Sequence, residues 1–376
     1  MKTVFKNAFA YIEGQFVKKD ILVEGGKITA FSSPCCSFEP VKEIDAGGAY
    51  LVPGFIDIHT HGAAGVDVNA ATLKDFEMLS AFFASKGTTA YLASVLTDSK
   101  ENTLKVLETV CRYKTSVGGG ATLLGAHLEG PFLSPKKKGA MPECFLREAD
   151  ISLLTEYLET GIVKYITVAP ELAGAQELIA FASEKLPVAL GHSAATYEQT
   201  ITAIQNGAKA STHTFNAMAG IDRVEPHILG AVLESDIYNE IIADGKHVHP
   251  ANMRLLYRLK GNKRIIAVTD SIQAAGMPDG EYRLGINEVT VAAGEAFIKG
   301  THSRAGSVLT MDNALKNLMR FLGISLEEAL PMLTENPANL LGLNKGYLRI
   351  GYDADFVLLS ENCDVTATFV GGGRIF

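Results

Sequence analysis

Between residues 50 and 344 short apolar runs alternate with amphipathic stretches, a pattern that reads as strand followed by helix. The runs 54–61 (GFIDIHTH), 87–95 (GTTAYLASV), 121–131 (ATLLGAHLEGP), 163–170 (VKYITVAP), 187–193 (PVALGHS), 210–217 (ASTHTFNA), 239–247 (NEIIADGKH) and 264–271 (RIIAVTDS) are the expected strands. Between them, LKDFEMLSAFFAS (73–85) carries apolar residues at helical spacing, and ATYEQTITAIQNG (195–207) ends on a glycine suited to a C-cap. Eight such alternations predict a closed (β/α)₈ TIM-like barrel with its active site at the C-terminal ends of the strands.

The two ends of the chain have a different rhythm. Residues 1–49 give short strand-like runs (TVFKNAFAYI, QFVKKDILVE, KITAF) broken by turns such as Gly25-Gly26, and residues 345–376 repeat that style in GYLRIG, DADFVLLS and TATFVGGGRIF. Neither end is large enough to bury a core alone. The termini are therefore expected to build one small β-sandwich domain from 1–49 and 345–376, beside a catalytic barrel spanning 50–344. Loops 132–147 and 271–285, rich in Gly and Pro, fall above the expected active site and are placed to close over it.

The 376 residues, 47% hydrophobic and 20% charged, suit one large barrel plus something small. A net charge of −8 and a pI near 5.7 exclude a global attraction to nucleic acid or an anionic membrane, so an anionic substrate needs local cations. The five cysteines (Cys35, Cys36, Cys111, Cys144, Cys363) are odd in number and form no CxxC, which argues against a disulfide framework or a thiolate zinc site. Lys6 and Glu13 interrupt the apolar residues of the N-terminus, and no 18-residue apolar span follows. A cytoplasmic protein is expected.

The placement of histidine changes the picture most. Of nine histidines, His59, His61, His127, His192, His213, His247 and His249 fall at or just beyond the end of an expected strand. His59 and His61 are two apart, so the strand period points both into the barrel mouth. Glu129, His192 and His213 end three further strands and can reach the same axis. Imidazole and carboxylate ligands that leave positions open to water suit a catalytic divalent ion, Zn²⁺ or Fe²⁺, with one or two per subunit. Asp270, at the end of the eighth strand, is the candidate general base, and His127 a supporting neighbour. The Lys136-Lys137-Lys138 run reads as a solvated loop face, with steering of an anion as the functional alternative.

At these residues the chain resembles the amidohydrolase superfamily and, within it, the N-acetylglucosamine-6-phosphate deacetylase family. PGFIDIHTHG, HLEGPFLSPKKKGA, TVAPE, GHSAAT, THTFNAM, IIADGKHVHP, VTDS, AGSVLTM and GYDADFVLL carry the likeness in order along nearly the whole chain. The resemblance implies a homodimer that removes the acetyl group from an amino-sugar phosphate. It assigns one ion to Glu129, His192 and His213, a second to His59 and His61 with Glu129 bridging, and proton transfer to Asp270. It also implies substrate contacts from Ala140, Asn216, Ala217, His247 and the Arg304-Ala305-Gly306 segment. Three positions depart from the family pattern. Met141 stands where relatives carry His or Gln, Val224 stands at the arginine of a REPG motif that reaches a neighbouring subunit's phosphate, and Arg304 replaces a small apolar residue. Arg223 or Arg304 is the expected replacement guanidinium for phosphate. The alternatives are an N-acetylgalactosamine 6-phosphate or unphosphorylated-sugar deacetylase, or another amidohydrolase acting on a cyclic amide, dipeptide or aminopurine. Many of that last group use a carboxylated lysine at the end of the fourth strand, where this chain has VAPE.

Overall fold

The computed structural model describes residues 2–33, 42–114 and 119–376, so Cys35 and Cys36 lie outside it. Eight strands, β1 (Phe55–Thr60), β2 (Thr88–Leu96), β3 (Thr122–Glu129), β4 (Val163–Val168), β5 (Val188–Leu190), β6 (Ala210–Ser211), β7 (Tyr238–Ile242) and β8 (Ile265–Val268), pair in parallel in chain order. The last meets the first just past their ends, where Asp270 N–H donates to His59 C=O (2.8 Å) and His61 N–H donates to Ser271 C=O (2.7 Å). This is the expected (β/α)₈ barrel.

All eight expected strands are present, but several stop short. The run 210–217 contributes only Ala210–Ser211 to the ladder, because His213, Phe215 and Ala217 take positive φ values of 28°, 82° and 50° and cannot continue it. The helix Leu73–Ser85 has the expected bounds and starts with a capping box between Thr72 and Asp75. The helix expected over 195–207 is shorter, Tyr197–Gln205, with Asn206 at its C-cap and Gly207 one residue beyond.

A six-stranded sheet joins both termini in the order Gly373–Arg374, Val365–Val370, Phe356–Leu359, Tyr50–Pro53, Phe9–Ile12, Gln15–Lys18. A four-stranded sheet of Lys27–Ser32, Asp20–Glu24, Lys2–Lys6 and Lys42–Asp45 packs against it. Their shared core contains Phe5, Ile21 and Ile28 from one sheet and Leu51, Phe356 and Phe369 from the other. The Phe5 ring meets Phe356 and Phe369 edge-on at 5.1 and 5.0 Å, which fixes the face-to-face packing.

One element is absent from the sequence reading. After β8 an antiparallel three-stranded arm, Gly280–Leu284, Asn287–Ala292 and Glu295–Ile298, stands beside the barrel mouth, its first strand inside the expected loop 271–285. Among the described residues no helix is long and apolar enough to cross a membrane.

Candidate metal centre and active site

A cavity of about 470 Å³ opens at the C-terminal ends of the barrel strands. Its floor is built by strand ends. His59 and His61 leave β1 on one face, Glu129 ends β3, and His192, His213 and Asp270 follow β5, β6 and β8. His192, His213 and Asp270 adopt positive φ (47°, 28° and 47°), a conformation disfavoured for side-chain-bearing residues and tolerated where surrounding structure over-determines it.

Glu129 is the hub. Its Oε1 lies 3.0 Å from Nε2 of both His192 and His213, and those two nitrogens are 3.0 Å from each other. Its Oε2 lies 2.9 Å from His61 Nε2, and His59 Nε2 is 3.5 Å from Oε1. Asp270 Oδ1 completes the group at 3.3 Å from His61 Nε2 and 3.5 Å from His59 Nε2. Two clusters of possible ligands thus share Glu129: His59 and His61 on one side, His192 and His213 on the other.

The donor set fits divalent ions. His59 Nδ1–H donates to Glu240 Oε2 (3.0 Å), His61 Nδ1–H to Ser94 C=O (3.1 Å) and His192 Nδ1–H to Lys137 C=O (2.9 Å). Each of these contacts selects the tautomer whose Nε2 lone pair faces the Glu129 carboxylate. Lone pairs aimed at a carboxylate repel unless a cation stands between them, and His59 Nε2 is buried with no hydrogen-bond partner. The spacings also approach the ~3.3 Å ligand edge of a tetrahedron with bonds of about 2.0–2.1 Å. Electrostatics agree. Burial disfavours charge on His61, yet its contacts with Asp270 and Glu129 outweigh that and push it up to about 9. Burial likewise raises Glu129, but the His59 charge and the hydrogen bonds of His192 and His213 hold it well below its usual value. The pocket attracts positive charge strongly.

Beneath the floor runs a polar network that the sequence reading did not find. Glu240, fully buried on β7, accepts from His59 Nδ1, from the His213 main-chain N–H (3.0 Å) and from Tyr165 OH (2.7 Å). A glutamate inside the apolar run NEII was the available signal, since a fully buried carboxylate requires partners. His127 has both ring nitrogens engaged, by Ser94 Oγ (2.9 Å) and Thr167 Oγ1 (2.9 Å), and so packs under His59 instead of joining the ligands. Burial and the neighbouring His59 charge push its pKa well down.

Of the expected substrate contacts, Ala140, Asn216, Ala217, His247, Arg304 and Gly306 line the cavity. Gly306, at φ +64°, leaves no room for a side chain, because a Cβ would sit 2.8 Å from Asp270 C=O. His247 Nδ1–H donates to Asp244 Oδ2 (2.6 Å), which orients its ring. Two residues lie elsewhere. Ala305 is buried behind the wall with Leu284 and Met141, and Arg223 sits on an exposed turn closed by Val224 N–H to Asp222 Oδ1 (2.9 Å), outside this cavity. Lys136, exposed, and Lys137 and Lys138, half-buried, all line the cavity, so the solvated lysine run stands at its mouth. Met141, only 4% exposed, adds an apolar patch to the wall with Leu96 and Leu284.

Comparison with known proteins places this geometry. Residues 50–375 match the model of the amidohydrolase family. The chain is 34% identical over 384 residues to N-acetylglucosamine-6-phosphate deacetylase of Bacillus subtilis (strain 168), covering 99% of this chain and 97% of the relative. A solved N-acetylglucosamine-6-phosphate deacetylase from Pasteurella multocida superposes with a TM-score of 0.94 at 32% identity, covering 100% of this chain and 99% of the other. A mutant Mycobacterium smegmatis deacetylase solved in complex with N-acetyl-D-glucosamine-6-phosphate superposes with a TM-score of 0.91 at 32% identity, covering 100% and 99%. The chain belongs to the amidohydrolase family, among its N-acetylglucosamine-6-phosphate deacetylases.

Proposed function

We propose that the protein hydrolyses the acetamide of N-acetylglucosamine 6-phosphate, releasing acetate and glucosamine 6-phosphate. The observation that carries this reading is Asp270, set at 3.3–3.5 Å from both histidines of the HxH pair on the floor of a cavity rimmed by cations. A divalent ion held by Glu129, His192 and His213, with a second at His59 and His61, would polarise the amide carbonyl and acidify water. Burial raises the Asp270 carboxyl, but positive charge at the His59–His61 pair outweighs it and holds the carboxyl below its usual value; ions held by these histidines would supply that charge in place of their protons and keep Asp270 ionised as a base. Asp270 takes a proton from the attacking water as the new C–O bond forms. It returns that proton to the sugar nitrogen as the C–N bond breaks, so the oxygen leaves in acetate and the nitrogen leaves as the amine. Glu240, through His59 Nδ1 and the His213 amide, holds two imidazoles in place.

We infer Zn²⁺ or Fe²⁺ from the mixed imidazole and carboxylate donors. We also infer a cytoplasmic homodimer, which the free thiols of Cys111, Cys144 and Cys363 and the exposed Ile221 and Val224 support. The test is acetate release by metal-reconstituted protein from N-acetylglucosamine 6-phosphate, its galactosamine epimer and unphosphorylated N-acetylglucosamine. The glucosamine phosphate should be the best substrate, and no acetate from any of the three would reject the reading.

A further inference from the structure

The sugar's acetamide must reach the floor, where Asp270 and the ligand cluster stand, so its phosphate, on the far side of the ring, must be read at the rim. The rim cations are not equivalent. Lys138 is paired with Glu143 (2.9 Å) and His247 with Asp244 (2.6 Å), while Lys136 and Lys137 carry their charge on long flexible stems. Arg304 differs, because the three-stranded arm builds a seat for it.

Arg304 lies directly across from Phe297 in an antiparallel bridge, flanked by Ala305 N–H to Ala296 C=O (3.1 Å) and Ile298 N–H to Ser303 C=O (2.9 Å). Side chains alternate along a strand, so Glu295 and Phe297 share a face, and the residue opposite Phe297 shares it too. Accordingly Arg304 Nη2 lies 2.6 Å from Glu295 Oε2, and the guanidinium carbon lies 5.1 Å from the Phe297 ring centroid. These two contacts hold one edge and one face of the guanidinium. Its Nη1 is buried without a hydrogen-bond partner, and the residue lines the cavity. The arm is itself pinned to the loops around the site, by Asn287 Nδ2 donating to Ala140 C=O (2.7 Å), Gly285 N–H to Asp67 Oδ2 (2.7 Å) and Lys246 Nζ to Ala293 C=O (2.6 Å). Nη1 itself is closed off, so an oxyanion reaches it through a small swing of the side chain, which is 34% exposed at the cavity wall; a guanidinium with an unused N–H and two fixed contacts suits such a ligand.

We propose that Arg304 is the phosphate-reading residue of this chain and that Glu295 is its positioning residue, setting specificity without touching substrate. The proposal rests on the deacetylase reading above. The two pictures of Glu295 predict opposite signs. If it positions the fork, its removal weakens phosphate binding; if it only neutralises the arginine, its removal strengthens phosphate binding.

The test uses metal-loaded full-length protein and compares KM and kcat for N-acetylglucosamine 6-phosphate and for N-acetylglucosamine, with inorganic phosphate as a competitive inhibitor. Arg304→Ala should raise KM for the phosphosugar and Ki for phosphate about tenfold to a hundredfold while kcat and the values for the unphosphorylated sugar stay within about twofold. Glu295→Ala should move the same two constants in the same direction by a smaller factor. Glu295→Gln, which keeps an acceptor, should restore most of the loss. A lower KM in Glu295→Ala, or equal KM changes for both sugars in Arg304→Ala, would overturn the proposal. Wild-type protein that releases no acetate sinks the deacetylase reading instead, whereas an active wild type with an unmoved Arg304→Ala sinks only the clamp.

Discussion

The floor and the rim of the cavity are built by different rules. Floor residues leave barrel strands, are buried (His59 0%, Glu129 2%, His213 4%) and hang from an internal network through Glu240, Ser94 and the Lys137 carbonyl. Rim residues sit on loops and on the arm, with Lys136 exposed and Lys137, Lys138 and Arg304 half-buried. Chemistry that depends on ångström placement is held by the closed sheet, and recognition is left to segments that can change without disturbing it.

The contrast can be broken at four points. Removing a ligand should do the most damage: His192→Ala or His213→Ala should lose bound metal by elemental analysis and cut kcat on the order of a thousandfold or more. Full activity in chelated protein would refute the metal-dependent floor. Next comes Asp270→Asn, for which kcat should fall on the order of a hundredfold or more with the metal retained. A normal kcat there would assign the proton to another group.

Third is the network beneath the ligands. Glu240→Gln leaves the volume unchanged but weakens the hold on His59, so metal affinity in a chelator competition should drop about tenfold to a hundredfold. No change would make the buried network a packing device only. The smallest effect belongs to the rim: replacing Lys136 and Lys137 by alanine should lower kcat/KM for the phosphosugar a few-fold, by roughly the loss of long-range steering, and flatten its dependence on salt while kcat holds. An unchanged salt dependence would return these lysines to the role of solvated loop residues.

Legibility followed the same division. The order of the eight strands and the shared direction of His59 and His61 could be read directly, because both rest on periodicities of neighbouring residues. Glu240 escaped because its meaning lies in a contact with His59 across 181 residues. The arm escaped because its polar strands carry a weak alternation, and a Gly- and Pro-bearing stretch reads as loop. Arg223 and Arg304 looked alike as cations near the motifs, and folding placed them apart: the turn at Asp222 leaves Arg223 exposed outside this subunit's cavity, whereas the pairing of 296–298 with 303–305 stacks Arg304 on Phe297 in the cavity wall.

By itself the sequence determined the barrel and the family, and it singled out Glu129, His192, His213, His59, His61 and Asp270 as candidates, since each is written in local spacing or in a motif. Tertiary structure alone decided that Glu240 holds His59 and the His213 main chain from beneath, that the three lysines line the cavity and that the three-stranded arm sets Arg304 in its wall. Those outcomes depend on strand register and on contacts between distant segments, which no local pattern specifies.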